Sequence, residues 1–305
     1  MELLAGPGGG AVRRGRAVRG LVATLLAAAC ACGSGPEPVH VRAVRLARPG
    51  SAAPLDEAGL DGAGVEDAVR TALAAAGFRA GDGGRPHVAA VDVAALRVVP
   101  GSIGPSAEVT LEIVLTPAQG GIEAPRRETS AAAVPLASAS SPRDAWRRAL
   151  AAAAQRSAEG LAIGLRAEAK STDGLVADLG SKDLRVREHA VRVLGEHRAS
   201  EAVPALLAQL QREDARLAHR VVATLAQIGD PRAVPALIDL SQSTDPTAGL
   251  RIVRFIGDIG GAEAEGYLLT LSSGHPDPRM RQAAREALDE LEARAKETAV
   301  TAARK

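Results

Sequence analysis

The most regular hydrophobic pattern in the chain lies between residues 171 and 295, where apolar positions recur about every 31 residues. An aspartate begins each unit, and an alanine or aliphatic residue stands seven and eleven positions after it. The sets are Asp183, Ala190 and Leu194; Asp214, Val221 and Leu225; Asp245, Ile252 and Ile256; and Asp277, Ala284 and Leu288. Aliphatic pairs keep the same spacing at Leu175-Val176, Leu206-Leu207, Leu237-Ile238 and Leu268-Leu269. Agreement at several separate positions indicates an internal repeat.

The residues between these positions divide each unit into two helices. Each aspartate can cap a helix, and Pro246 and Pro278 follow at the first helical position. Gly229 and Gly260 stand fifteen residues into their units, where the first helix has to end. Because helix pairs stacked at a fixed repeat form a solenoid, the sequence predicts an all-α repeat domain over residues 171–295.

Residues 38–168 show a different pattern, in which periods of two and of 3.6 residues follow one another. Alternation typical of strands occurs in four segments, and helical spacing occurs in two. The first predicted strand begins at Val39, and the other three cover 87–99, 109–115 and 127–136. The predicted helices cover 65–76 and 142–168. The order β-α-β-β-β-α predicts an α+β module, with a sheet covered by two helices.

The first thirty residues have the layout of an export signal. Arginines within residues 1–19 precede a short apolar run, GLVATLLAAA. This run is shorter than the ~20 residues that a membrane-spanning helix needs. We therefore expect a signal peptide over residues 1–30 and a flexible tether, containing Gly-Ser-Gly, over residues 31–37.

The string that ends at Cys30, AAAC, resembles the lipobox of bacterial lipoproteins. The resemblance implies that Cys30 becomes the lipidated first residue of the mature protein, anchored in the outer membrane and facing the periplasm. Cys32 is an alternative lipidation site, and an ordinary signal-peptide end or a Cys30–Cys32 pair are further alternatives. Two cysteines in the whole chain exclude a framework of several disulfides.

The repeated strings, above all DPRAVPALIDL, resemble the HEAT-like repeat of the phycobilisome-lyase type. The resemblance implies an α-solenoid whose second helices line a concave, protein-binding face. Outward positions expected on these helices are Glu201, Gln209, Asp239 and Gln242, which form either a partner-binding face or a solvated one. The same resemblance also implies a rival function, that of an enzyme similar to a bilin lyase. The N-terminal order resembles small modules of envelope lipoproteins that assist assembly or transport.

Composition and chemistry narrow the possible functions further. Aromatic residues make up 1% of the chain and the net charge is +1, which argues against a nucleic-acid partner. The six histidines are scattered, and His189 and His197 stand eight positions apart on a predicted helix. The histidine spacing typical of zinc-binding helices is missing from the sequence, so we expect exposed histidines. We expect no catalytic site, metal, cofactor or small-molecule substrate.

Together these patterns predict a lipid-anchored scaffold or adaptor of the bacterial cell envelope that binds another protein through HEAT-type repeats, rather than an enzyme. In an alternative hypothesis the α/β module over 38–168 is the working part, as an accessory to assembly or transport, and the solenoid is a spacer. The bilin-lyase-like enzyme is the third hypothesis. Residues 296–305 lose the periodicity and are predicted to be a disordered tail.

Overall fold

The structure of the protein is a computed structural model. It describes residues 38–47, 52–84, 86–118, 124–211, 215–243 and 245–303. The chain from Pro38 to Lys305 forms one compact unit. The predicted signal peptide, Cys30 and the tether all lie outside the described residues.

The first half of this unit contains a five-stranded mixed sheet. Its strands are β1 (His40–Leu46), β2 (Arg79–Ala80), β3 (Pro86–Gly101), β4 (Gly104–Pro117) and β5 (Arg126–Pro135). The order across the sheet is β2-β1-β3-β4-β5. β1 is parallel to both of its neighbours, whereas β3, β4 and β5 form an antiparallel meander. The alternating residues of β4 are fully buried, as the period of two predicts: Val109, Leu111, Ile113 and Leu115.

Helices pack against this sheet. α1 (Ala52–Glu57) and α2 (Gly62–Ala75) follow β1, and α3 (Pro142–Glu168) follows β5. α3 begins at the predicted Ser-Pro string, because the Ser141 hydroxyl accepts a hydrogen bond from the Asp144 N–H at 3.1 Å. Small side chains on its buried face let α3 lie close to β4 and β5. They include Ala145, Ala149, Ala153, Ala154 and Ala158.

The observed order differs from the predicted one in two short elements. α1 has six residues and β2 has two, so neither is long enough to show a hydrophobic period. The three long strands β3, β4 and β5 and the helices α2 and α3 lie where the sequence predicts them, within a few residues. The α+β class of the N-terminal module is thereby confirmed.

The second half of the unit is a run of helices. They are α4 (Thr172–Asp178), α5 (Leu184–Glu196), α6 (Val203–Leu210), α7 (Ala215–Ile228), α8 (Val234–Ser243), α9 (Pro246–Ile259), α10 (Ala262–Gly274) and α11 (Pro278–Ala303). Three predicted caps are present: Asp183 accepts from the Arg185 N–H and Asp245 from the Thr247 N–H, each at 2.9 Å, and Asp277 accepts from the Arg279 N–H at 2.8 Å. Asp214 lies outside the described residues. The prediction of a HEAT-type α-solenoid is confirmed.

These helices form two layers. The first helices of the units, α5, α7, α9 and α11, contact one another in sequence and form the A layer. The second helices, α4, α6, α8 and α10, form the B layer. The repeat positions identified in the sequence fill the core between the layers with fully buried side chains, including Leu194, Leu206, Leu225, Leu237, Ile256 and Leu268.

Helix α3 belongs to both halves of the molecule. It packs against β4 and β5 on one side and against α5 on another, in the place of a further A-layer helix. Leu161 contributes to the core of the sheet module, whereas Ala167 contributes to the core of the solenoid. The helix that ends at the predicted boundary between residues 168 and 171 is therefore shared by the two architectures.

The two longest described helices are α3, with 27 residues, and α11, with 26. α11 reaches Ala303 and so continues through residues for which the sequence predicts a disordered tail. Helix formers predominate there, and the Lys296 ammonium lies 3.3 Å from the Glu292 carboxylate one turn earlier. Of the helices in the described ranges, none combines the length and the apolar character needed to cross a membrane.

Candidate functional site

The exposed side of α4, α6, α8 and α10 is here called the B face. An aliphatic residue occupies the same repeat position on each of these helices, namely Val176, Leu207, Ile238 and Leu269. The first three are half-buried against the solenoid core, and Leu269 is 54% exposed. These four residues, the aliphatic column, cross all four helices and keep part of their apolar surface in solvent.

Exposed carboxylates accompany this column on three of the helices and in the turn that precedes the fourth. The exposed acidic residues are Asp173 on α4, Glu201 in the turn before α6, Asp239 on α8, and Glu263 and Glu265 on α10. None of these five forms an ion pair with another described residue. The B face therefore holds negative charge that the described part of the chain does not neutralise.

Two further carboxylates of the B layer are neutralised locally. Asp178 lies 2.5 Å from the Lys170 ammonium, and Asp230 lies 2.6 Å from the Arg232 guanidinium. Arg232 is the one basic residue within the ranges 172–178, 200–210, 231–243 and 262–274. Asp230 already neutralises the charge of Arg232, so Arg232 does not neutralise the five exposed carboxylates of the B face.

The A layer has the opposite balance. Basic residues with described side chains on α5, α7 and α9 are Arg185, Arg187, Arg192, Arg220, Arg251 and Arg254, against the acidic residues Glu188, Glu196 and Asp258. α11 carries equal numbers of both signs. The two sides of the solenoid thus differ in charge, so a charged partner would bind them with different affinities.

The predicted face residues are only partly where the sequence places them. Glu201, Asp239 and Gln242 are exposed on the B face, and their role in binding stays a prediction. The expected outward position of Gln209 is wrong, because this residue is 8% exposed. Its Oε1 accepts no hydrogen bond from a described residue. Leu271 occupies the same repeat position as Gln209 and is also buried. Comparison of the repeats could therefore have identified this position as buried.

A second candidate region was not predicted from the sequence. A cleft of about 690 Å³, here called the junction cleft, lies between β5, α3, α5 and α7. Four arginines, four glutamates and His189 supply most of its polar lining. The cleft is formed where the sheet module meets the first helices of the solenoid.

Two glycines on α3 make room for the side chains that enter this cleft. A Cβ at Gly160 would lie 2.6 Å from the Glu128 carboxyl group. A Cβ at Gly164 would lie 3.1 Å from the His189 ring. Glycine at these two positions, one turn apart on an alanine-rich helix, lets Glu128 of β5 and His189 of α5 lie close to the same face of α3.

Charge-assisted hydrogen bonds join the three elements around the cleft. Glu168, at the end of α3, accepts from Arg126 Nε of β5 at 2.7 Å. The same carboxylate accepts from Arg192 of α5 at 3.3 Å, and Arg192 also lies 2.7 Å from Glu196. The two contacts of Glu168 are part-buried, so they are stronger than pairs in full solvent and hold the two halves of the molecule together.

His189 of α5 reaches the cleft from the solenoid side, and its side chain is 15% exposed. Burial, and then the nearby Arg192 and Arg220, lower the pKa of His189 to about 4. The imidazole is therefore neutral at pH 7. The expectation of an exposed helical histidine is wrong for His189, which packs against Gly164, whereas His197 is exposed but lies just after the last residue of α5.

Glu128 of β5 faces His189 across the cleft, with 4.0 Å between its Oε2 and the His189 Nε2. This distance is too long for a direct hydrogen bond. Burial, and then the like charge of Glu188, raise the pKa of Glu128, while Arg185 and Arg192 act in the opposite direction.

A neutral imidazole beside a carboxyl group with a raised pKa can exchange a proton with a molecule bound between them. The lining of the cleft has a single hydroxyl side chain, that of Thr129. Among the described residues, no group of three or more His, Cys, Asp or Glu could hold a metal ion. The groups in the described lining that could bind a polar molecule are therefore the arginine, glutamate and histidine side chains.

Comparison with known proteins concerns the solenoid. Residues 172–251 match a family model described as HEAT repeats, over the helices from α4 into α9. Repeats of this class are generally protein-interaction scaffolds. No curated protein matches the chain.

Solved structures also match. One is the crystal structure of an engineered protein that is 21% identical to this chain. The matched region covers 47% of this chain and 74% of the engineered protein, with a TM-score of 0.30.

Proposed function

We propose that the protein is a scaffold or adaptor that binds another protein through the B face. The observation that carries the proposal is the aliphatic column, which ends in the exposed Leu269 and repeats on four successive helices. Stacked repeats that present equivalent side chains at regular intervals suit an extended segment of a partner. The HEAT-repeat class of residues 172–251 supports the same role.

Cross-linking inside cells tests this proposal directly. A photo-reactive amino acid at Gln242, on the B face, is expected to capture one discrete protein. The same amino acid at Asp289, which is exposed on α11 of the A layer, is the matched control and is expected to capture little. Capture at Asp289 and not at Gln242 would show that the B face is not the binding surface.

A second candidate function, an assembly or transport role of the α/β module, is favoured by a different observation. Val98 is 56% exposed and Ile103 is 64% exposed near the turn of the β3–β4 hairpin. Exposed apolar side chains close together on one hairpin are suited to contact with a partner. The photo-reactive amino acid at Ser102 in this turn tests that role, and capture there alone would assign the function to the module.

The proposed site of action is the bacterial cell envelope, with a lipid anchor at Cys30 that holds the protein in the outer membrane facing the periplasm. The arginine-bearing segment, the apolar run and the small residues before Cys30 support this location. Residues 1–37 lie outside the described structure, so the support comes from the sequence.

Replacement of the two cysteines separates the interpretations of this segment. Cys30→Ser is expected to abolish incorporation of a labelled fatty acid in a bacterial host, because the acceptor thiol is removed. Cys32→Ser is the matched control and is expected to keep the label, as measured by gel fluorescence and by the mass of the mature N-terminus. Label lost only in Cys32→Ser would assign the anchor to Cys32, and no label in the unsubstituted chain would refute lipidation.

A further inference from the structure

We infer that the segment bound on the B face is basic and carries aliphatic side chains about 10 Å apart, the usual spacing of packed helices. The inference rests on the proposed function and adds to it the chemistry of the partner. It follows from the charge of the face and from the position of the aliphatic column within that charge.

The carboxylates lie beside the column rather than at random on the solenoid. Glu265 is one helical turn from Leu269 on α10, and Asp239 directly follows Ile238 on α8. Asp173 is likewise one turn from Val176 on α4, whereas Glu201 stands six residues before Leu207, in the turn that precedes α6. A segment whose aliphatic residues contact the column would therefore have its remaining side chains within reach of unpaired carboxylates.

Charge complementarity selects a basic segment over an acidic or neutral one. The five carboxylates repel one another without a compensating cation among the described residues, and lysine or arginine side chains relieve that repulsion. On α5, α7 and α9, by contrast, each carboxylate already lies within 4 Å of an arginine, namely Glu188, Glu196 and Asp258, so these helices offer a basic segment no unpaired negative charge. Charge thus selects both the kind of partner and the side on which it binds.

The aliphatic column limits the length and spacing of the partner. Four neighbouring helices span about 30 Å between the first and last axes. A helical segment of about 20 residues covers this distance, and its positions seven apart lie about 10 Å from one another. We therefore expect aliphatic residues at multiples of seven if the bound segment is an α-helix, and at multiples of three if it is a polyproline II helix, which has three residues per turn and a rise of about 3.1 Å per residue.

The test combines cross-linking from Gln242 in the full chain with mass spectrometry of the captured segment. The captured segment is expected to have a net positive charge and aliphatic residues at one of these spacings. Reversal of two charges, Glu201→Lys with Asp239→Lys, is expected to lower the cross-linking yield about tenfold. The control Asp289→Lys with Glu290→Lys changes the net charge equally on α11 and is expected to change the yield less than about twofold.

The possible outcomes separate this inference from the proposed function. A captured segment that is acidic or neutral, or a yield that the B-face reversal leaves unchanged, overturns the inference while the scaffold function stands. No captured protein at Gln242 refutes the function and the inference together. If the double reversal impairs folding, as circular dichroism would show, the single neutralisation Asp239→Asn provides the same test with a smaller expected loss.

Discussion

Gly160→Leu is expected to lower the free energy of unfolding by about 2–3 kcal/mol, within the range found for overpacked interiors. A Cβ at this position would lie 2.6 Å from the Glu128 carboxyl group, and a leucine adds three more carbons at the same place. The added side chain forces the outer end of Glu128 to leave the position in which it faces His189, because the Glu128 Cγ would lie 2.7 Å from the new Cβ. Urea unfolding of the full chain, followed by circular dichroism, measures the loss.

A matched control removes a different glycine from a helix. A Cβ at Gly266 on α10 meets nothing within 4 Å, so Gly266→Ala is expected to stabilise the protein by about 0.5–1 kcal/mol through helix propensity alone. Equal stabilisation by Gly160→Ala would contradict the close approach at the junction cleft. If Gly266→Ala stabilises the protein and Gly160→Ala destabilises it, the steric constraint lies at Gly160.

The solenoid could be predicted from the sequence because its contacts repeat. Leu194, Leu225 and Ile256 stand at one repeat position, and their burial follows from the same local geometry in each unit. A period in the sequence therefore reports packing between neighbouring units. The strand β4 was predictable for a similar reason, since alternation along one strand reports which of its faces is buried.

The shared role of α3 could not be predicted in the same way. Its small buried residues show that the helix is packed, but a single sequence does not show which element covers each face. Leu161 and Ala167 lie close together on one helix and yet belong to two different cores. The division of the helix between sheet and solenoid depends on tertiary contacts that carry no local pattern.

The junction cleft was missed because its residues are far apart along the chain. Glu128 lies on a strand and His189 on a helix of the solenoid, and each alone resembles an ordinary surface residue. The available signal was the pair Gly160 and Gly164 on a helix otherwise rich in alanine, which indicates close approach of other elements. The expected exposure of Gln209 on the B face was wrong for a local reason. The corresponding residue in a later repeat is a buried leucine, which shows that this repeat position faces the core.

The two candidate regions lie on different layers of the solenoid, which has a consequence for function. The junction cleft is lined by A-layer helices α5 and α7, whereas the aliphatic column lies on the B layer. A partner bound along the B face therefore leaves the cleft open. Substitutions in the cleft are expected to change stability and its pH dependence without removing partner contacts.

Acidification from pH 7 to pH 5 is expected to destabilise the protein through His189 by about 2 kcal/mol. The pKa of His189 is about 4 in the folded protein, below the ordinary value of 6.5. The unfolded chain therefore binds more protons than the folded one between these values, so stability falls as the pH drops through this window. Below about pH 4 both states are protonated at this residue and its contribution to the slope ends.

Glu128 acts in the opposite direction, because its pKa is raised in the folded protein. The folded state takes up a proton at Glu128 first as the pH falls, which offsets part of the loss at His189. The groups that face this pair come from α3, α5 and α7: Glu168, Glu188, Arg192 and Arg220. Comparison of variants under identical conditions separates the two contributions.

The decisive measurement is the free energy of unfolding at pH 7 and at pH 5 for three chains. His189→Gln keeps a neutral polar side chain in the cleft but does not titrate, so it is expected to lose about 2 kcal/mol less than the unsubstituted chain on acidification. Glu128→Gln removes the offsetting proton and is expected to lose more than the unsubstituted chain. Equal pH dependence in all three chains would contradict the burial of this pair in the junction cleft, because exposed side chains with ordinary pKa values contribute nothing to the difference.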